Sequence, residues 1–335
     1  MITSVELFNG GMVAYFLAFL FYTIYTFSKS SWASKLATTF AWLGVIVQGA
    51  GFIVRGLEKA KVNMVSDWTA FYKYAPFTNM YESLMLFGWT AVLIYLLFEW
   101  KYRNRAFGMF VIPLALIGEL STQILGFSSE AQPLVPALQS NWLLFHVVTT
   151  FIGYAAAAVS AGIAYAYFAK RDDTTVKDWV VIFVTTWFIF FFIIYSAYRE
   201  NFILYLGISA VVALLFCGFL YLVKKTGIVN LFPSVEAMEQ IMYQSVAVGF
   251  VFLTIGIILG AVWAKYAWGG YWSWDPKETW SLITWLVYAA YLHARYIKGL
   301  RGKPLAYFTI IGFLSVIFTY YGVNLIIPGL HSYAQ

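Results

Sequence analysis

The chain has 335 residues, of which 62% are hydrophobic and only 11% charged, and its mean hydropathy is +0.75. Soluble domains carry about 25% charged residues, so this chain lacks the polar surface to cover a folded body in water, and its solvent is largely the lipid bilayer. The formal net charge of +6 calls for no nucleic-acid partner once the basic residues are placed, because in a membrane chain they act as topology signals.

A run of about 20 apolar residues crosses a bilayer. Runs of that kind predict helices near 10–27, 37–55, 79–98, 107–127 and 142–169. Five more follow near 179–197, 201–223, 241–264, 280–297 and 304–323. The expected fold is all-α: a polytopic transmembrane helical bundle of about ten spans, forming a single integral membrane domain over 1–335. The first basic residue, Lys29, follows the first apolar run instead of preceding it, the reverse of a cleavable secretory signal.

Alternate loops divide the 21 Lys and Arg unequally. One set holds Lys29, Lys35, Lys101, Arg103, Arg105, Lys170, Arg171, Lys177, Lys224, Lys225, Arg295, Lys298, Arg301 and Lys303. The other holds only Arg55, Lys59, Lys61, Lys73, Arg199, Lys265 and Lys277. The positive-inside rule puts the richer set in the cytoplasm and both termini outside. The outer segments are then 56–78, 128–141, 265–279 and the tail from 324. Acidic residues fall mainly in loops.

In PFTNMYESL, Asn79 and Glu82 have capping-box spacing for the third helix, so Tyr81 and Glu82 read first as structural. His146 opens the fifth helix, about 6 Å of rise below Trp142 at the outer surface. Cys217 stands alone within an apolar run, which leaves neither a disulfide pair nor a thiol-exchange motif.

WAKYAWGGYWSWDPKETW places Trp263, Trp268, Trp272, Trp274 and Trp280 within eighteen residues, together with Gly269 and Gly270. An isolated pair of tryptophans reads as an interfacial belt. Five around two glycines read as an aromatic platform for a flat, π-rich ligand. Asp275, Pro276 and Glu278 fit N-cap, first helical position and capping-box partner of the ninth helix. Asp275 therefore caps the helix and steadies the platform.

His293 lies about 20 Å down that helix, in the cytoplasmic half, where an ionisable residue is a functional candidate by default. His331 lies in the outer tail. Two imidazoles on opposite faces of a planar macrocycle hold haem iron six-coordinate, with the haem edges packed on aromatic rings. His146 and His331 share the side of the Trp-rich segment and fit that role. A lone intramembrane histidine needs a second ligand from another polypeptide, so a partner membrane protein is expected at His293.

At these residues the chain resembles the CcsA/ResC family, the haem-handling subunits of System II cytochrome c biogenesis, which carry a Trp-rich WWD segment. The resemblance rests on PFTNMYESL at 76–84, PLVPALQSNWLLFHV at 133–147, WGGYWSWDPKETW at 268–280 with YLHARY after it, and GVNLIIPGLHSY at 322–333. It implies that His146 and His331 are outer axial ligands of haem b, that Trp263 to Trp280, with Asp275, form the haem platform, and that His293 is the ligand of an inner site. It implies a CcsB/ResB/Ccs1-type partner, apocytochrome c as client, and thioether formation at its Cys-x-x-Cys-His motif, a holocytochrome c synthase activity shared by a two-component complex. The membrane would be a bacterial plasma membrane or a thylakoid.

Relatives usually have eight spans, so 178–223 reads as a two-helix insertion, and FYKYA before PFTNMYES lacks the Gly-His of many members. A System I haem-handling protein, which passes haem to a chaperone, is the alternative. A cytochrome b-type subunit needs paired helix-borne histidines, and a secondary transporter needs repeat-related broken helices or buried carboxylates near the midplane; neither pattern stands out.

Overall fold

The computed structural model describes residues 2–64, 76–198, 201–327 and 329–330, with the backbone alone at 196–198. Ten long helices form among the described residues, one at each predicted run. They are α1 (Ser4–Ser28), α2 (Ser31–Val62), α3 (Met80–Tyr102), α4 (Gly108–Ile124) and α5 (Asn141–Lys170). Then come α6 (Val176–Tyr198), α7 (Phe202–Lys225), α8 (Val235–Trp268), α9 (Pro276–Tyr296) and α10 (Lys303–Leu325). No strand occurs among the described residues. Lipid offers no partner to backbone polar groups, which leaves helices to satisfy their own. Eight of the ten are long and apolar enough to cross a membrane; α4 is shorter and α9 more polar.

Side-chain contacts sort the helix ends into two layers, and the sorting matches the charge partition. In one layer, Arg105 Nη1 donates to Ser34 Oγ at 3.0 Å, Asn104 Nδ2 to the Leu231 carbonyl at 2.9 Å, and Lys303 Nζ pairs with Asp178 at 2.9 Å. Arg295 Nη2 meets Gln240 Oε1 there at 2.9 Å. In the other, Ser4 N donates to Glu58 at 2.9 Å, Arg55 Nη2 to the Ser129 carbonyl at 2.6 Å, and Trp263 Nε1 to the Ala137 carbonyl at 2.9 Å. We call these the basic end and the Trp end. Lys73 and Arg199 lie outside the described residues.

At the centre stands α5, and α8 packs along it in the most extensive pairing of the bundle. Small residues make the approach possible. A Cβ on Gly249 would sit 3.2 Å from Ala156 Cβ, and one on Gly256 would sit 2.5 Å from Thr150 Oγ1, so glycine at both positions lets the helices close. Close backbone approach through small residues is how helices associate where lipid removes the hydrophobic drive. By contrast α7, the second helix of the expected insertion, lies at the edge: it packs chiefly on α6 and leaves Ile203, Val211, Leu214 and Leu215 exposed to lipid.

The acidic residues depart from the loop-bound expectation. Glu82, Glu99 and Glu119 sit on helices inside the bundle at 0%, 6% and 0% exposure. Glu99 accepts from Tyr22 Oη at 2.5 Å, Thr38 Oγ1 at 2.6 Å and Tyr95 Oη at 2.8 Å. Glu119 accepts from Gln48 Nε2 at 3.0 Å. Gly88 on α3 and Gly11 on α1 make room for this pair, since a Cβ at either would overlap the Glu119 carboxyl or the Gln48 side chain. Glu82 pairs with Lys59 at 2.6 Å and lies 3.7 Å from Arg55.

The Asn79 cap forms differently from its sequence pattern. Asn79 Oδ1 accepts from Glu82 N at 2.8 Å, but the Glu82 carboxylate takes Thr78 N at 2.9 Å and Lys59, not Asn79 N. The glutamate therefore joins the cap of α3 to α2.

Candidate haem site

The Trp-rich block is less of a loop than expected. Trp263 and Trp268 belong to the last turns of α8, Trp280 to α9, and only Trp272 and Trp274 stand between them. Gly269 adopts φ +82 as the C-cap of α8, its N–H bonded to the Lys265 carbonyl. It stops the helix, a position where L-residues with a Cβ are strained. Trp274 takes φ +58 just before the cap of α9. The Asp275 capping box is formed: Asp275 Oδ1 accepts from Lys277 N at 3.0 Å, and Glu278 Oε2 from Asp275 N at 3.2 Å and Ser273 N at 2.7 Å. Asp275 also does something the sequence did not indicate. Its Oδ2 accepts from Leu330 N at 2.7 Å, tying the chain immediately before His331 to the start of α9. His331 itself lies outside the described residues.

His146 sits on α5 against the last turns of α8. Its Nδ1 meets the Gly256 carbonyl at 2.7 Å, and its ring stacks on Trp263 at 6.1 Å between centroids and 13° between planes. A carbonyl only accepts, so Nδ1 carries a proton, and in the neutral ring Nε2 holds the lone pair. A histidine oriented through its far nitrogen by a carbonyl is the second-shell arrangement of metal-ligating imidazoles. Gly260 faces the ring directly: a Cβ there would lie 2.7 Å from Cε1 and 2.8 Å from Nδ1. Trp263 is buried at 2% exposure and meets Trp268 edge-on at 4.8 Å; Trp272 meets Trp274 edge-on at 5.7 Å.

These groups wall a cavity at the Trp end, lined by His146, Trp263, Trp268, Tyr271 and Trp272 among others. A second cavity also reaches His146 and lies against Phe77 to Met80 and Asn324. The four sequence blocks far apart in the chain thus converge on one imidazole. A larger cavity between α3, α4, α5, α6, α7 and α10 shares Phe151, Tyr154 and Tyr320 with the first, and its lining has no charged or imidazole group.

Trp274 stands apart from the cavity lining at 68% exposure, and Trp280 packs on Phe318 at 4.0 Å. His293 falls seventeen residues into α9, which begins at Pro276, or about 26 Å of rise toward the basic end. It is exposed, on a stripe with Ile283, Leu286 and Ile297 that faces away from the buried Thr284, Tyr288 and Tyr291.

Sequence reading missed Tyr320, Ser83 and Lys277. In α10 the residues Phe318–Gly322 form a π-helical turn, which presents both Tyr320 and Tyr321 inward, to Ser83 Oγ at 2.5 Å and Ser121 Oγ at 2.8 Å. Single π-turns inside α-helices are frequent at functional sites.

Eight helices long and apolar enough to cross a membrane, with an imidazole and a tryptophan wall at one end of the bundle, define a multi-pass membrane protein. Residues 77–331 match the family described as cytochrome C assembly protein. Cytochrome c biogenesis protein CcsA of Heterosigma akashiwo is 40% identical over 267 residues, covering 78% of this chain and 77% of that protein. Its counterpart in Microcystis aeruginosa is 40% identical over 273 residues, covering 78% and 79%, and that of Crocosphaera subtropica is 35% identical over 350 residues, covering 97% and 96%. The chain belongs to the CcsA family of cytochrome c biogenesis proteins, and haem handling follows from that membership. Among solved structures, cytochrome c heme lyase CcmF shares the fold at TM-score 0.60 and 16% identity, covering all of this chain and 49% of CcmF, so this chain spans about half of its length.

Proposed function

We propose that the protein carries haem b across the membrane and, with a CcsB/ResB/Ccs1-type partner, attaches it to apocytochrome c. The observation that carries the reading is the locked imidazole: the Gly256 carbonyl fixes His146 so that Nε2 is its ligating atom, beside a tryptophan-walled cavity. Haem is the substrate here. Aromatic walls suit its π faces, and His146 would take one axial position. His331 follows Leu330, which Asp275 holds at the same end of the bundle, and we assign it the opposite axial position.

The reaction this site serves is addition of each thiol of Cys-x-x-Cys-His across a haem vinyl group. The carbon–sulfur bond forms, the thiol hydrogen ends on the neighbouring vinyl carbon, and nothing is oxidised or reduced overall. Such a step needs alignment of reacting groups and not a side-chain nucleophile. The chain's contribution is therefore to hold and orient haem and to exclude water. The client's histidine displaces one outer ligand, which eases release.

His293, exposed on α9 toward the basic end, fits an inner site completed by a ligand from the partner. We place the basic end in the cytoplasm by the positive-inside rule, and thus the Trp end and both termini outside, in a bacterial plasma membrane or a thylakoid. Residues 178–223, α6 and α7, are read as an addition to an eight-span family core.

The test is a reduced-minus-oxidised absorption spectrum of the chain purified with its partner, then of His146→Ala and His331→Ala. A six-coordinate haem signal that weakens in each variant and returns with added imidazole supports the reading. Wild-type protein that copurifies no haem with its partner refutes it, and a soluble haem chaperone as the copurifying partner would move the chain to the System I route.

A further inference from the structure

The two cavities that reach His146 share one more residue whose chemistry the Trp platform does not explain. Lys277, the second residue of α9, lines both. Among the described residues it is the only cationic side chain in either lining. Its Nζ donates to Asn324 Oδ1 at 2.8 Å, a neutral amide, and it forms no ion pair among the described residues. The fully buried cations are treated differently: Lys59 and Arg55 both meet Glu82.

Local carboxylates are already committed. Asp275 directs Oδ1 to Lys277 N and Oδ2 to Leu330 N, and Glu278, which also lines the first cavity, accepts through Oε2 from Ser273 and Asp275. Asp275 acts on the Lys277 ammonium only through space, and a lysine at a cavity wall with no carboxylate in direct contact is costly unless an anion arrives. Asn324 in turn reaches Met80 Sδ at 3.3 Å, so Lys277 rests on a neutral polar chain from α10 to α3. That resting contact is exchangeable.

We infer that Lys277 takes a carboxylate of the incoming porphyrin, a propionate of haem, exchanging its Asn324 contact for an ion pair beside the His146 ring. The inference rests on the haem reading above and adds the feature of haem that the cavity selects: its anionic edge. Propionate capture would set the macrocycle's rotation in its own plane, and hence which vinyl faces which thiol. Lys277 is thereby a positioning residue, separate from the axial ligands.

The test compares haem with haem dimethyl ester, which has the same iron and ring but no carboxylates. Full-length wild type, Lys277→Met and Lys277→Arg, each in detergent micelles, are titrated with both ferric porphyrins and read by Soret absorbance. A charge-assisted hydrogen bond predicts that wild type prefers haem by roughly 10- to 100-fold. Lys277→Met should bring haem down to the diester's affinity and leave the diester's own affinity and the bis-histidine spectrum unchanged, while Lys277→Arg keeps the preference.

Equal affinity of wild type for the two porphyrins, or a preference that survives in Lys277→Met, would overturn the assignment while the haem reading stands. Loss of both porphyrins alike in Lys277→Met would likewise overturn it, giving Lys277 only the task of holding Asn324. Wild type that bound neither would bring down the haem reading itself, and this proposal with it.

Discussion

Gly260→Ala tests the site at its tightest point with a single added methyl. The new Cβ would stand 2.7 Å from His146 Cε1 and 2.8 Å from Nδ1, where ordinary contact begins at 3.4 Å. Relief through the ring alone requires a shift of 3.4 − 2.7, about 0.7 Å, away from α8. The Nδ1 to Gly256 carbonyl distance of 2.7 Å would then grow to about 3.4 Å, outside good N–H···O geometry. Overpacking of this kind costs about 1–3 kcal/mol, and loss of a metal ligand's orienting bond typically lowers metal affinity about 10- to 100-fold. The assay is haem retained per polypeptide after purification, with the reduced spectrum, at equal amounts of folded protein. The expected result is weakened retention that added imidazole restores. Retention equal to wild type with an unshifted spectrum would refute the argument that the Gly256 bond holds His146 ready for iron.

Three further outcomes follow from the same structure. Asp275→Ala removes the N-cap of α9, worth about 1 kcal/mol, and frees Leu330; haem retention should fall by more than the stability loss explains, as read by spectrum and thermal melt together. Glu82→Ala leaves Arg55 and Lys59 buried at 1% exposure without their shared carboxylate, and should destabilise the protein by about 3–5 kcal/mol, visible as a lowered melting temperature with Lys59→Met less affected because Arg55 remains beside Glu82. His293→Ala should leave the spectrum of the outer site intact while reducing mature cytochrome c formed in cells that also express the partner; undiminished cytochrome c would remove His293 from the haem route.

The helix count, the class of fold and the grouping of helix ends into two layers were legible because the bilayer imposes them on composition: apolar runs of fixed length must become helices, and basic residues gather at alternate breaks. All ten helices stand where the runs predicted, and the described basic residues sort into the two layers that the loop count defined. Capping was legible where its partners are close in sequence, as at Asp275 and Glu278. At Asn79 the same pattern misled by one bond, because the Glu82 carboxylate is drawn to Lys59 on another helix, a partner no local spacing reveals.

Tertiary structure decided what lies between helices. Gly256 and Gly260 in an apolar run look like any small residues; only the close approach of α5 and α8 makes one an acceptor for His146 and the other a space for its ring. Tryptophans that sequence grouped as one loop are divided among α8, the connection and α9, because α8 keeps its own hydrogen bonds as far as Trp268. Glu119 was hidden in an apolar run, and it is buried because glycines on α1 and α3 open room for it and for Gln48. Hydropathy is a property of one chain segment facing lipid, whereas a site depends on which faces meet. That depends on the shapes of several helices at once, and no single segment carries the information.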